Sequence, residues 1–284
     1  MISGMSPTFY VPGAQKCGTT YLYWLLKSHP NCFLPDEKEP QALSSPDYAR
    51  ERYLGLFASA ANRSAVGARG EASTSYFVVS GVPERIFSEF GSGVRFVFIF
   101  REPVERVLSS YLHMFKRGHE SRDWSELFGG LPSDIDEAID LEAASCLEAE
   151  ASGKMVGAPY RERFGEQGLW PFHYLYGTLY SRHVGRFLRI FGRDNCHFVF
   201  LEDMQRDPLA ELKGVYQFLG LDADFVPDDL HVVRNRTVVN RPCPPLAARI
   251  RSDLHELFAD ERQRLSRIVG RLPPEWERLP TCVE

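Results

Sequence analysis

Thr8 to Thr20, near the start of the chain, carries the parts of an anion-binding loop. Phe9, Tyr10 and Val11 are apolar and β-prone, Pro12 and Gly13 break the run, and Gly18 follows. Thr19 and Thr20 come next, and Tyr21 to Ser28 carries Leu22, Leu25 and Leu26 at helical spacing. A strand, a glycine-bounded loop holding a lysine, and a helix bring backbone N–H groups and the positive end of a helix dipole to one spot, where a phosphate is stabilised. An ATP- or GTP-binding loop of the form G-x-x-x-x-G-K-[ST] has its lysine directly after the second glycine. Here Thr19 holds that place and the lysine is Lys16, inside the loop. Its cation therefore approaches the phosphate from another direction. Arg101 is a second candidate. It follows Val94 to Phe100, a nearly continuous apolar run expected of a strand covered on both faces. The carboxyl ends of such strands are where open α/β sheets bind ligands. Pro103 suits a first helical turn, which puts Ser109 about two turns along the next helix.

The elements that must position these groups follow in order. Pro30 ends the first helix, and Leu34 to Pro40 is a charged, proline-bounded loop that one helix length can return near the ligand of the anion loop. Ser45 to Ala58 is predicted as a helix from the apolar face of Tyr48, Tyr53, Leu54, Leu56 and Phe57. Gly67 to Glu71 reads as a strand end, Ala72 to Tyr76 is rich in hydroxyls, and Pro83 to Phe90 reads as a helix. Glu120 to Gly168 interrupts the alternation of strand and helix, with an acidic helix from Asp134 to Ala151 and a loop from Gly153 to Gly168. His173 to Phe191 has a long amphipathic pattern, and Cys196 to Leu201 is another buried strand. Pro208 to Leu219 is a helix closed by Gly220, and Leu246 to Val269 holds one or two closing helices. The predicted fold class is α/β: a single doubly wound domain over residues 1–284 with a central parallel sheet and an inserted segment at about 120–168.

Composition narrows the function classes. The chain has 284 residues, 44% of them apolar, and a formal net charge of −5, without the basic excess of a duplex-binding protein. No nucleic-acid partner is expected. No apolar run approaches the roughly 20 residues that span a bilayer, and Met1 to Pro7 has neither the charged nor the apolar region of a signal peptide. The 6 cysteines form no C-x-x-C pair, so neither zinc nor a disulfide framework is expected. A cytoplasmic enzyme without a metal is the simplest class.

Three features occur in the order and rough spacing of one family. They are Lys16-Cys17-Gly18-Thr19-Thr20, the pattern Arg101-x-Pro103-x-x-Arg106-x-x-Ser109, and the run from Tyr174 to Leu201 leading to Glu202-Asp203. Over most of its length the chain resembles the PAPS-dependent sulfotransferases, in their heparan-type and bacterial small-molecule branch. PAPS, 3′-phosphoadenosine 5′-phosphosulfate, would be the co-substrate and adenosine 3′,5′-bisphosphate the product. The resemblance implies that Gln15, Lys16, Cys17, Gly18, Thr19 and Thr20 hold the 5′-phosphosulfate, with Lys16 neutralising the leaving phosphate. It implies that Arg101 and Ser109 grip the 3′-phosphate, in keeping with the planar donor fork that arginine offers to phosphate oxygens. Arg234 and Arg236 match a basic loop that folds over the nucleotide. Glu39, in Lys38-Glu39-Pro40, matches the glutamate of the heparan-type branch and is the candidate base; His29, His113 and His173 are weaker rivals. Tyr180 and Phe100 are aromatic candidates for the adenine, and both also read as core.

The chain departs from the heparan-modifying pattern. Gln41-Ala42-Leu43 follows the glutamate, where histidine and aromatics are usual, and Ala72 stands where some members carry a lysine. Between Glu120 and Glu150 lie ten Asp or Glu residues against Arg122 alone, which would repel a polyanion along that segment. The expected acceptor is a small or neutral molecule: a natural product, a glycoside or a lipid with a hydroxyl or amine. The alternatives are a P-loop kinase or NTPase, and a nucleotide-binding protein that has lost its chemistry.

Overall fold

The computed structural model describes residues 5–60, 66–228, 230 and 246–278. Five parallel strands form one sheet: β1 (Phe9–Tyr10), β2 (Cys32–Phe33), β3 (Ala68–Glu71), β4 (Arg95–Phe100) and β5 (Cys196–Phe200), in the order β2-β3-β1-β4-β5. The chain departs from β1 toward β2 on one side and from β4 toward β5 on the other. This makes the gap between β1 and β4 the switch point of the sheet, outside whose carboxyl ends ligands bind. The strands are apolar because both faces are covered: Phe96 to Phe100 have no exposed surface. Phe98 stacks on Phe198 of β5 with ring centroids 5.7 Å apart.

The chain divides into two compact units, Met1–Phe100 with Arg182–Arg236, and Arg101–Ser181 with Thr237–Glu284. The first holds the sheet, α1 (Thr19–Ser28), α2 (Arg50–Gly55), α3 (Ser75–Val78) and α4 (Val82–Phe90). The second holds α5 (Pro103–Lys116), α6 (Trp124–Phe128), α7 (Ile135–Ala151) and α8 (Ala158–Phe164). After α9 (Tyr180–Phe191), α10 (Leu201–Arg206) and α11 (Pro208–Leu219) complete the first unit, and α12 (Ala248–Leu257) and α13 (Ala259–Val269) complete the second. Among the described residues, no helix is long and apolar enough to cross a membrane.

The second unit packs its own core from Val104, Val107 and Tyr111 of α5, Trp124 and Phe128 of α6, Phe172, Tyr174, and Leu254 of α12. Within it Glu120 and Arg122 form a buried ion pair at 2.7 Å, which the Tyr174 hydroxyl joins by donating to Glu120 at 3.1 Å. Glu142 is buried on α7 and accepts the backbone N–H groups of Leu175 at 2.7 Å and Tyr176 at 3.0 Å. Asp123 and Asp134 cap α6 and α7, Glu126 pairs with Lys154, and Glu150 pairs with Arg161. Much of the acidity of this segment is therefore structural. The exposed carboxylates left on α7 are Asp136, Glu137, Asp140 and Glu148.

Three expected elements differ from those observed. The helix expected over Ser45 to Ala58 is confined to Arg50–Gly55, because Ser45, Pro46 and Asp47 form a turn in which Ser45 Oγ accepts the Asp47 N–H at 3.1 Å. The loop expected over Gly153 to Gly168 contains α8, which begins at the favourable Ala158-Pro159. The helix expected from His173 starts only at Tyr180: Tyr176–Thr178 form a separate 3-10 turn that ends at Leu179 (ψ 68°), and Tyr174 O is taken by Arg106 and Thr178 Oγ1.

The sheet leaves little slack at Gly70. In the parallel register Gly70 faces Phe9, and a Cβ added there would lie 2.3 Å from the Phe9 ring. Gly70→Ala is expected to destabilise the protein by about 1–3 kcal/mol, the usual cost of overpacking, as measured by urea unfolding.

Candidate active site

The anion loop is stitched to the sheet. Ala14 N–H donates to Ile99 O and Ile99 N–H donates to Gly13 O, both at 2.8 Å. Gly13 lies against Phe77, so a Cβ there would be 2.7 Å from Phe77 Cβ. The loop then turns: Lys16 has a left-handed backbone (φ 67°), and Cys17 N–H donates to Ala14 O at 3.3 Å. Gly18 caps α1 in the left-handed region (φ 96°), where a Cβ would also meet Leu201 Cδ1 at 2.8 Å. α1 has no side-chain cap and no acidic residue in its first turn, so nothing acidic there offsets the positive end of its dipole. Cys17 and Thr19 are buried, while Gln15, Lys16, Gly18 and Thr20 keep partial exposure. The loop thus presents a cation, small hydroxyls and a helix N-terminus.

Glu39 lies in the segment after β2, again with a left-handed backbone (φ 61°). Its Oε1 accepts from Lys38 Nζ, and its Oε2 accepts from Thr74 Oγ1 at 3.0 Å and Gln41 Nε2 at 3.1 Å. The side chain is 28% exposed, which leaves it open to a partner from solution. Thr74 and Phe77 both belong to the segment after β3, so this segment touches Glu39 at one end and Gly13 at the other. Phe77 is in turn held by Arg186, which donates to its carbonyl, and by the His183 ring at 4.9 Å.

In the second unit, Arg101 Nη2 donates to Glu105 Oε2 at 3.0 Å, and Glu105 Oε1 accepts from Arg251 Nη1 of α12 at 2.5 Å. Ser109 is half-buried on α5. Arg106, the other arginine of the motif, turns inward instead: it is 1% exposed and donates to Tyr174 O at 2.8 Å and Thr178 Oγ1 at 3.1 Å. Tyr180 and Phe100 are buried, as core residues are, and the Tyr180 hydroxyl donates to Arg101 O at 2.8 Å. Arg234 and Arg236 lie outside the described residues. His29 has a structural role: Nδ1 accepts the Asn31 N–H, Nε2 donates to Asp222 O, and the ring sits between Tyr216 and Phe225. Burial lowers the His173 pKa to about 4. His113 lies on α5 at intermediate burial.

Sequence reasoning assigned no role to Glu71, Ser73, Thr74 or Tyr76, although the hydroxyl-rich run directly after a strand end was the available signal. Glu71 is 1% exposed, and burial raises its pKa to about 8 against the opposing hydrogen bonds from Tyr76 and Ser73.

An all-parallel sheet with a glycine-bounded, lysine-bearing loop between its first strand and a helix defines a P-loop-like α/β fold. Within that class, the chain belongs to the sulfotransferase family: the family described as Sulfotransferase domain matches residues 7–241. Heparan sulfate glucosamine 3-O-sulfotransferase 5 of Mus musculus is 25% identical over 151 residues, covering 53% of this chain and 35% of the relative. Heparan sulfate glucosamine 3-O-sulfotransferase 3B1 of Mus musculus is 25% identical over 232 residues, covering 81% of this chain and 50% of the relative. The chain thus spans between a third and a half of these curated relatives. The crystal structure of a sulfotransferase from Alicyclobacillus acidocaldarius matches with a TM-score of 0.71 at 23% identity, covering 96% of this chain and 99% of the other. That likeness establishes the fold.

Glu71 makes stability depend on pH. Its folded pKa of about 8 exceeds the ordinary carboxyl value of 4.5, so across that window the native state retains a proton that the unfolded chain loses. The stabilisation is complete below the unfolded pKa and is lost as pH rises through the folded one. Lys38, Glu39, Tyr10, Tyr53 and Tyr76 are the titratable groups whose fields couple to it. Denaturant unfolding across pH 4.5 to about 8 is expected to show wild type losing stability relative to Glu71→Gln. Parallel curves would refute it.

Proposed function

We propose that the chain transfers a sulfuryl group from PAPS to a hydroxyl or amine of a small or neutral acceptor, leaving adenosine 3′,5′-bisphosphate. The observation that carries this reading is the lysine held within the loop, on a left-handed turn between the β4-stitched Ala14 and the capping Gly18. Gln15 to Thr20 hold the 5′-phosphate through backbone N–H groups and the threonine hydroxyls, and Lys16 offsets the charge that builds on the leaving phosphate oxygen. Arg101 and Ser109 take the 3′-phosphate, with Glu105 setting the guanidinium in place beforehand. Arg234 and Arg236 cover the nucleotide. Glu39 takes the proton of the acceptor as its oxygen or nitrogen attacks sulfur and the bond from sulfur to the phosphate oxygen breaks. The protein's contribution is positioning and charge stabilisation, as in phosphoryl transfer.

The exposed carboxylates of α7 disfavour a polyanion near that helix. Among neutral acceptors, a glycoside is favoured by relatives named for heparan sulfate glucosamine. We read residues 1–284 as one domain with an insertion at about 120–168, acting in the cytoplasm without a metal.

Adenosine 3′,5′-bisphosphate without Mg²⁺ is expected to raise the thermal midpoint, adding about 2.7 kcal/mol at 100 times its dissociation constant. Lys16→Ala and Arg101→Ala should weaken this shift. Glu39→Gln should keep it while abolishing sulfate transfer from PAPS to a panel of p-nitrophenol, an alkyl glucoside and a desulfated disaccharide. A Mg²⁺-dependent shift with ATP and none with the bisphosphate would overturn the proposal, and near-normal turnover in Glu39→Gln would remove Glu39 as base.

A further inference from the structure

The turn that presents Glu39 is unusual. Glu39 and Gln41 both hold left-handed backbones, at φ 61° and 54°. Non-glycine residues persist there only where their surroundings enforce it. Local turn bonds, from Ser44 N–H to Gln41 O and from Ser45 N–H to Ala42 O, do not tie this segment to the sheet. Hydroxyls from the segment after β3 do. Ser73 Oγ accepts the Gln41 N–H at 2.9 Å, and Tyr76 Oη accepts the Leu43 N–H at 3.1 Å. Ser73 Oγ in turn donates to Glu71 Oε2 at 3.2 Å, and the buried Tyr76 hydroxyl interacts with the same carboxyl. A hydroxyl can rotate, and it holds an amide well only when something else takes its proton. Glu71, buried at the end of β3, takes the Ser73 proton and is the carboxyl partner of Tyr76.

We propose that Glu71, Ser73 and Tyr76 are positioning residues for Glu39: one buried carboxyl orients two hydroxyls, and these hold the Gln41 and Leu43 amides so that the turn carrying the base keeps its shape. The proposal rests on the reading of Glu39 as base. Thr74 Oγ1, which donates to Glu39 itself, belongs to the same run. The run Ser73 to Tyr76 thus includes one residue that contacts the carboxylate of Glu39 directly, Thr74, and two that hold backbone amides of its turn, Ser73 and Tyr76.

The test combines amide hydrogen exchange with turnover. Ser73→Ala is expected to speed exchange at Gln41 by about tenfold, the effect of losing one modest hydrogen bond. Exchange in β4 should be unchanged, and Ser73→Thr should restore protection. Glu71→Gln, whose amide oxygen still accepts from both hydroxyls, should protect Gln41 and Leu43, and Glu71→Leu should expose both. With whichever acceptor of the panel supports transfer, Ser73→Ala should lower kcat by about tenfold with the shift by adenosine 3′,5′-bisphosphate unchanged. Unchanged exchange at Gln41 in Ser73→Ala would overturn the proposal, as would a loss of nucleotide binding in parallel with kcat, which marks a general structural role. Should Glu71→Leu not fold, Ser73→Ala decides alone. Should wild type transfer sulfate to no acceptor, the proposed function fails, and the exchange result still decides whether the turn is held in this way.

Discussion

The reciprocal pair of hydrogen bonds between Ile99 and the Gly13–Ala14 peptide makes the candidate anion loop a continuation of the sheet. β1 is only two residues long, too short to fix the loop by itself. It is flanked by β3 and β4 on both sides, and Ile99 extends the ladder beyond its end. The loop therefore inherits the rigidity of β4, whose residues from Phe96 onward are completely buried. Every later feature of the loop depends on that start. The left-handed Lys16 can be sustained because Ala14 on one side and the α1 cap at Gly18 on the other are both fixed. The close approach of Phe77 and Leu201 to the two glycines shows that packing, as well as backbone freedom, requires glycine at these places.

A second constraint recurs in both units. Backbone amides in irregular segments need acceptors that secondary structure does not supply, and this chain supplies them with buried carboxyls. Glu142 takes the amides of Leu175 and Tyr176. Glu261, 4% exposed, takes the amide and hydroxyl of Ser181. Glu71 works at one remove, through hydroxyls. Removing a charge from water is costly, and the response differs with the donors available. Glu142, with direct amide donors, still has its pKa raised to about 7, and Glu71, with hydroxyl donors, reaches about 8.

What was legible in the sequence follows from these constraints. β4 and α5 were readable because an apolar run between a turn and Arg101-Glu102-Pro103 admits few other conformations. The anion loop was readable from its glycines and Lys16. Arg101 and Ser109 were singled out from their motif, but the inward turn of Arg106 was not foreseen, since it depends on Tyr174 O and Thr178, about 70 residues away in sequence. The start of α9 was placed too early for the same reason: Leu175 and Tyr176 fit a helical period, but Tyr176–Thr178 form a separate 3-10 turn and the distant Arg106 takes Tyr174 O. The contacts of Glu39 were hidden likewise, because Thr74 and Ser73 come within reach only through the parallel pairing of β2 with β3.

That pairing also shapes the charge around Glu39. Lys38 is bonded to Glu39 and couples to Glu71, so two carboxyls share one ammonium in a partly buried cluster. If both carboxyls were ionised, the cluster would be net negative, and each charge would disfavour an anion bound nearby. Burial works against this by raising the Glu71 pKa to about 8. The Lys38–Glu39 ion pair then faces less negative charge from its buried neighbour. The buried position of Glu71 therefore bears on the turn in two ways: it accepts the Ser73 hydroxyl that holds the Gln41 amide, and its raised pKa lessens the negative charge around the candidate base.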